Sequence, residues 1–359
     1  MQVFIRTDAS IQIGSGHVMR CLTLANQLKQ KNVSIKFICR ELKGNMIEYI
    51  RQQGFEVYTL KGIDVVSHWD WTTEHWLEDA QGTNDFLQNE NQLINLLIVD
   101  HYSLDMKWEE KIRPFVREIM VIDDLADRNH DCDLLLDQNY YVNMESRYKD
   151  LVSEKCMQFL GPNFALLRDE FLVIDPTTIL RDGEIHNIFI FFGGTDSSGE
   201  TLKALYAIER LLHDDLKVNV VVGASNPYKS KIKEFCDGYK NIQLHCQIDY
   251  MANLMLEADI AIGAGGSASW ERIYVKLPSI VEIVADNQKE LTEALETTNA
   301  IYSLGKYSDV KEHDIYHQLK LLLINPKKVK KMVEQCNYVM DSSVLREKKL
   351  ASQILKAIF

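Results

Sequence analysis

Short runs of β-branched and aliphatic residues alternate with amphipathic stretches along most of the chain, and few folds accept that rhythm. The pattern predicts strands over 3–6, 34–39 and 56–60, with helices over 17–29 and 46–53 between them. On the first of these helices Val18, Cys21, Leu22, Ala25 and Leu28 share a face. Residues 96–99 and 119–122 are apolar without alternation, as in strands buried on both faces, and 133–136 reads as a shorter one. A second series starts at 187–192 and continues at 217–222, 242–246, 260–263 and 279–284. From about Val310 the chain is helical and strongly charged, able to pack on either half. The expected fold class is α/β, with two Rossmann-like parallel-sheet domains facing across a cleft. The expected boundaries are 1–155 for the N-terminal domain, 156–182 for a connecting region, 183–340 for the C-terminal domain and 341–359 for a C-terminal helix.

The 359 residues are enough for two cores, and 46% apolar with 26% charged residues fits a folded soluble chain. A net charge of -12 makes nucleic acid and anionic membranes poor partners. Seven scattered cysteines without a C-x-x-C pair point to a reducing compartment and away from a zinc site. The first eight residues carry charges where a signal peptide needs an apolar stretch. No apolar run reaches the roughly 20 residues of a membrane helix, so the expectation is a cytoplasmic protein without membrane insertion.

Ligands of open parallel sheets sit beyond the carboxyl ends of the strands, so the strand-end loops carry the candidate chemistry. The sharpest signal is Gly14-Ser15-Gly16-His17, between the first strand and the first helix. It is not a dinucleotide fingerprint, because Met19 stands where the third glycine belongs and the loop from Asp8 is too long. The positive end of the helix dipole favours a neutral imidazole at His17, which could act as a general base. The bland alternative is a histidine that caps the helix or bonds a backbone carbonyl. Gly193-Gly194-Thr195-Asp196 and Gly265-Gly266-Ser267 to Glu271 each join a strand to a helix, where exposed backbone N–H groups suit an anion; both are equally ordinary capped turns. Glu271, one turn into its helix, suits two ribose hydroxyls as acceptor. Asn287, beside Gln288, is either an N-cap or a donor to a diphosphate oxygen. Asp100-His101-Tyr102 leaves the end of a buried strand, and Asp123-Asp124 with Asp127 and Arg128 reads as a turn with an ion pair. Trp69, Trp71 and Trp76 either form a lid or anchor a long loop.

Taken in order, these motifs resemble the pseudaminic-acid pathway hydrolases that act on UDP-2,4-diacetamido-2,4,6-trideoxy-β-L-altropyranose. The resemblance also covers Cys132-Asp133-Leu134-Leu135-Leu136, Gln138-Asn139 and Gly161-Pro162 to Arg168, and it ends near residue 300. The stretch 62–92 has no counterpart in the pattern. The resemblance implies a fold like the GT-B glycosyltransferases, with UDP held by the C-terminal domain. It implies His17 as the catalytic base, Tyr102 near the sugar, Asn287 at the pyrophosphate, Glu271 on the ribose and Gln288 as a further substrate contact. Gly14, Ser15, Gly16, Gly193, Gly194, Thr195, Gly265, Gly266 and Ser267 line the substrate in this reading. No metal or other cofactor is implied. The expected reaction is inverting attack of water at the anomeric carbon, releasing UDP and the free sugar. The alternatives are a GT-B glycosyltransferase, a hydrolase acting on another UDP-sugar of surface polysaccharide synthesis, and a nucleotide-sugar-binding protein without catalysis.

Overall fold

The computed structural model describes residues 1–63, 65, 67–90, 93–211 and 215–358, the side chains of 347 and 348 excepted. Thirteen strands occur among these residues: β1 (Gln2–Thr7), β2 (Ser34–Arg40), β3 (Glu56–Leu60), β4 (Ile94–Asp100), β5 (Val116–Ile122), β6 (Leu134–Asp137), β7 (Met157–Leu160), β8 (Asn187–Phe191), β9 (Lys217–Val222), β10 (Ile242–Cys246), β11 (Ile260–Ala264), β12 (Ser279–Ile283) and β13 (Ile301–Lys306). They form two all-parallel sheets, ordered β3-β2-β1-β4-β5-β6-β7 and β10-β9-β8-β11-β12-β13.

The apolar runs explain why both sheets are covered on two sides. In β1, Val3 and Ile5 enter one core while Phe4 enters the other; in β4, Leu96 and Ile98 oppose Leu97 and Val99. A strand apolar at every position needs a helical layer on each face. In the second sheet Ile188, Ile190, Val218, Val220, Ile260 and Ile262 meet the helices Glu200–Glu209 and Glu312–Leu323, and the alternate residues Phe189, Val221, Ala261 and Val281 are buried as well.

The chain divides into two compact units. One comprises Met1–Asn139, Asn143–Leu166 and the C-terminal segment from Glu347; the other comprises Tyr140–Val142 and Leu167–Arg346. The C-terminal helix Leu350–Ala357 thus returns to the first unit, where Leu350, Ala351 and Ile354 join the core shared with Val18, Leu22 and Ala25 of the helix Gly16–Lys29. The charged helices Glu312–Leu323 and Pro326–Val339 stay with the second. The segment 156–182, expected to connect, contains β7 in its first residues. The unmatched stretch 62–92 holds two helices, His68–Glu74 and Trp76–Gln88, while Asp64, Val66, Asn91 and Gln92 lie outside the described residues.

Each sheet has one place where its strand order reverses, between β1 and β4 in the first and between β8 and β11 in the second. Loops leaving two such neighbours diverge to opposite faces and leave a crevice at the strand ends. The four loops singled out in the sequence by His17, by Asp100 to Tyr102, by Gly193-Gly194 and by Gly265-Gly266 follow β1, β4, β8 and β11.

Candidate active site

In the first unit, Thr7 pairs with Asp100 across the β1/β4 switch point. The loop after β1 folds on Ser10, whose carbonyl accepts the Gly14 amide at 2.9 Å and whose Oγ accepts the amides of Gln12 and Ile13 at 3.1 and 3.0 Å. Gly14 has φ +80°, which a side chain would strain. A Cβ on Gly14 or Gly16 would meet nothing within 4 Å, so the loop face is open above both. Ser15 occupies the helix cap position without a side-chain cap bond; its carbonyl accepts the Met19 amide.

His17 is buried in the first turn of the helix Gly16–Lys29. Its ring neither caps the helix nor bonds a backbone carbonyl: Nδ1 lies 2.6 Å from Asp100 Oδ1. The helix dipole is therefore joined at the ring by a buried carboxylate, which sequence spacing did not reveal. With Nδ1–H donating to Asp100, the lone pair of the imidazole resides on Nε2. Arg20, one turn on, donates to Asp100 through Nε and Nη2, each at 2.6 Å, and to Asp124 at 2.9 and 3.0 Å. Cys21 Sγ adds a 3.4 Å contact to Asp100. Burial alone would raise the Asp100 pKa, but Arg20 and His17 outweigh it and hold the carboxyl below the usual range.

Aromatic rings complete the surroundings. Tyr102 bonds Asp124 through its hydroxyl at 3.1 Å and packs edge-on against His17 with ring centres 4.5 Å apart. Trp69, half-buried, touches His17 at 5.7 Å and Tyr102 at 5.2 Å between ring centres. Its helix is tied down by Ser103 Oγ, which donates to the Trp69 carbonyl at 2.8 Å, and by His68, 3.0 Å from Ser10 Oγ. Of the other tryptophans, Trp71 lies over the Arg40 guanidinium and Trp76 packs on the apolar core.

Beneath this layer lies a buried charge-balanced group. Arg6 clamps Asp8 and Asp79, Arg40 bonds Asp79 at 2.5 Å, and the Arg40 amide donates to Asp8 at 2.7 Å. Trp108 Nε1 also donates to Asp79, and His101 Nε2 lies 3.3 Å from Asp8. Paired with one another, these charges fix the base of the His17 loop. Asp123 closes its turn on the Ala126 amide at 2.9 Å and pairs with Arg128 at 2.9 Å.

In the second unit the glycines divide by role. Gly193 has φ +96°, and a Cβ there would meet nothing within 4 Å. The Gly194 carbonyl accepts the Gly223 amide at 3.1 Å, and Thr195 is half-buried beside it. The next helix, Glu200–Glu209, does not offer its end to an anion, because Asp196 accepts the Glu200 and Thr201 amides at 2.9 and 3.0 Å. Gly265 does not offer its amide to an anion. Its amide bonds the Glu282 carbonyl at 3.1 Å, and a Cβ there would lie 2.2 Å from Thr292 Oγ1, so packing requires this glycine. Gly266 faces Gln288, whose Nε2 would lie 3.4 Å from a Cβ at that position; Gln288 Oε1 accepts the Val284 amide. Ser267 is exposed at the cap position of the helix Ala268–Tyr274. Asn287 is exposed within the 3₁₀ turn Asp286–Gln288, just before the helix Lys289–Thr297.

Glu271, buried in its helix, is held by an arginine that no local sequence pattern marks. Arg168 Nε and Nη2 donate to its two carboxylate oxygens at 2.6 and 2.9 Å. The structure thus assembles His17 with Tyr102 in the first unit, and Gly266 with Gln288 in the second. Among the described residues no group of three or more His, Cys, Asp or Glu is placed to hold a metal, and no helix is long and apolar enough to cross a membrane.

Comparison with known proteins extends this geometry. Residues 188–354 match the glycosyltransferase family 28 C-terminal domain. A UDP-2,4-diacetamido-2,4,6-trideoxy-β-L-altropyranose hydrolase of Campylobacter jejuni is 29% identical over 278 residues, 77% of this chain and 89% of that protein. Over its full length the fold is similar to that of Acinetobacter baumannii MurG, with TM-score 0.64 and 12% identity, covering 99% of each chain. The chain resembles the diacetamido-UDP-sugar hydrolases and has the GT-B fold. Arabidopsis thaliana UGT89C1, solved with UDP, superposes with TM-score 0.68 at 10% identity over 100% of both chains. The uncharacterized protein MJ1062 of Methanocaldococcus jannaschii is 29% identical over 81% of this chain, and the match spans 57% of that relative's length. The spore coat polysaccharide biosynthesis protein SpsG of Bacillus subtilis is 22% identical, with 90% of this chain and 89% of that protein aligned.

Proposed function

We propose that this protein hydrolyses UDP-2,4-diacetamido-2,4,6-trideoxy-β-L-altropyranose to UDP and the free sugar, as a step of pseudaminic acid biosynthesis. The observation that carries the proposal is the Asp100-oriented His17 at the β1/β4 switch point. A binding protein has no need of a buried carboxylate that fixes the tautomer of one imidazole.

In the proposed mechanism His17 Nε2 takes a proton from water. The water oxygen bonds to the anomeric carbon on the face opposite UDP, the bond from that carbon to the diphosphate oxygen breaks, and the configuration inverts. Asp100 stabilises the imidazolium that forms. The Gly193-Gly194-Thr195 and Gly266-Ser267 backbone, with Asn287 and Gln288, receives the departing diphosphate, and Glu271 the ribose. Tyr102 and the Gly14-Ser15-Gly16 loop border the sugar. Charge stabilisation of this kind is commonly the largest catalytic term, with the base adding about 10²–10⁴-fold.

The test is UDP release from this substrate without an acceptor. His17→Ala should lose turnover by about 10²–10⁴-fold with UDP affinity unchanged. Near-normal turnover would refute the assignment. The likeness to SpsG favours one other reading, action on a different UDP-sugar of surface polysaccharide. Under that reading UDP binds, but this sugar nucleotide is not turned over.

A further inference from the structure

Asp100 orients His17, but a lone buried carboxylate would also stabilise a second proton on the ring before water arrives. An imidazole protonated at both nitrogens has no lone pair and is no base. The structure sets a cation against that outcome. Arg20 donates to both oxygens of Asp100 at 2.6 Å, Nε to Oδ2 and Nη2 to Oδ1, and Oδ1 is also the oxygen that His17 Nδ1 meets. Cys21 Sγ takes a fourth place, on Oδ2. A carboxylate has about four lone-pair sites, so these four donors fill it.

The same guanidinium meets the ring itself. Arg20 Nη2 lies 3.3 Å from His17 Nδ1. With the Nδ1 proton donated to Asp100, this contact is a cation beside the imidazole, and a charge on the ring would face it directly. Burial works against the Arg20 charge, but Asp100 and Asp124 outweigh it. Around the ring, Tyr102 and Trp69 present aromatic edges, and Cys21 stays a neutral thiol, pushed up by burial and by Asp100. Asp124 accepts from Arg20 and Tyr102, and Asp8, a layer below, is held by Arg6 and His101.

We infer that Arg20 is a positioning residue for the base: by balancing Asp100 and placing positive charge at Nδ1, it keeps the His17–Asp100 pair from taking up a further proton near neutral pH, so that the Nε2 lone pair is available to water. This rests on the reading of His17 as the general base. Without Arg20 the pair titrates as a unit and gains that proton at higher pH. On His17 the proton removes the Nε2 lone pair; on Asp100 it removes the charge that holds the tautomer.

The experiment follows His17 through pH by NMR of the full chain with carbon-labelled histidine, its resonance assigned by loss in His17→Gln. Beside it runs the pH profile of UDP release from the diacetamido UDP-sugar, for the wild type, Arg20→Gln, Arg20→Lys and Asp124→Asn. In Arg20→Gln the His17 midpoint and the acid limb of kcat/KM should both lie about 1–3 pH units higher, so the deficit in turnover is about tenfold or more on the acid side and shrinks as pH rises. Arg20→Lys, which keeps the charge without the fork, should remove at least half of that displacement. Asp124→Asn takes away the anion on the far side of Arg20 and should move both readings to lower pH, a test that holds even if Arg20→Gln does not fold. An unmoved His17 titration in Arg20→Gln, with turnover lower by one factor at every pH, is the mark of a structural role and overturns the inference. Asp124→Asn readings that stay in place or move to higher pH overturn it as well. Displaced midpoints in a chain that releases no UDP from this sugar support the role of Arg20 and refute the substrate reading alone.

Discussion

Asp100→Asn removes one charge and no volume, so its consequences follow from the bonds at that carboxylate. Three donor bonds of 2.6 Å converge on Asp100, one from His17 and two from Arg20, in a site that is 1% exposed. An amide has one acceptor oxygen and one donor nitrogen, so at least one of these bonds becomes a donor facing a donor. If His17 turns to the other tautomer to accept from the amide, Nε2 carries the proton and cannot take one from water. Loss of the correct tautomer costs up to about 10⁴-fold in turnover, and loss of general-base help alone at least about 10²-fold. Breaking a buried ion pair from one side costs about 3–5 kcal/mol. Arg20 retains Asp124, whose side chain is 15% exposed, so the expected loss of stability is nearer ~2–3 kcal/mol. The assay pairs UDP release under saturating substrate with denaturant unfolding. The reasoning predicts kcat lower by 10²–10⁴ with KM and UDP affinity within a few fold. A folded Asp100→Asn protein that keeps more than about a tenth of wild-type kcat would refute it, because His17 would then need no oriented tautomer.

Two further outcomes are expected. Trp69→Ala removes the ring that packs on His17 and Tyr102, and two aromatic contacts worth about 0.5–1.5 kcal/mol each predict a fall of about 5–160-fold in kcat/KM; an unchanged value would show that Trp69 only anchors its helix. Stability depends on pH in two opposed ways. Burial, with Asp124 nearby, pushes the Asp137 carboxyl up to about 8, and burial does the same to Glu282, which shares Lys203 with Glu200. Both acids keep their protons in the folded chain and lose them near pH 4 when unfolded, so their stabilising contribution is full below pH 4 and erodes as pH rises to 8. Asp8, Asp79 and Asp123 are lowered instead, by arginine partners that outweigh burial, and their contribution is lost on acidification below pH 4. Thermal unfolding should therefore peak near pH 5, and Asp137→Asn or Glu282→Gln should flatten the fall toward pH 8 by roughly 1–3 kcal/mol. Unaltered slopes in both variants would contradict the assignment.

What the sequence disclosed follows from burial on two sides. Strands with apolar residues at every position, such as β4 and β5, were legible to within a few residues, and β3, β9 and β10 at both ends. β7 and β13 are edge strands, as β3 and β10 are, but they also lack a run of buried β-branched or aliphatic residues. Met157 and Gln158 are exposed, and β13 carries half-exposed Tyr302, Ser303 and Leu304 before Gly305 at φ +91°. Neither has the pattern that distinguishes a buried strand from a loop. The helices of 68–88 are obscured in the same way, by polar residues such as Thr72 and Asp79 that are buried through hydrogen bonding and charge pairing.

For the site, glycines and the histidine stood out locally, because a turn between strand and helix leaves a local signature. Their partners did not. Asp100 lies 83 residues from His17 and Asp124 lies 104 from Arg20, so only the sheet order brings them together. One local clue was available: His17, Arg20 and Cys21 are spaced three and four apart on one helix face, and all three reach Asp100. Arg168 and Glu271, 103 residues apart, gave no such sign.

The most direct test of the account is hydrolysis of the diacetamido UDP-sugar in water enriched in heavy oxygen, without an acceptor, with both products analysed by mass spectrometry. The account predicts that UDP is released unlabelled and that the label appears on the anomeric hydroxyl of the free sugar. Label on the UDP phosphate would place the attack at phosphorus and contradict the role given to His17, and intact substrate after binding would contradict hydrolysis itself.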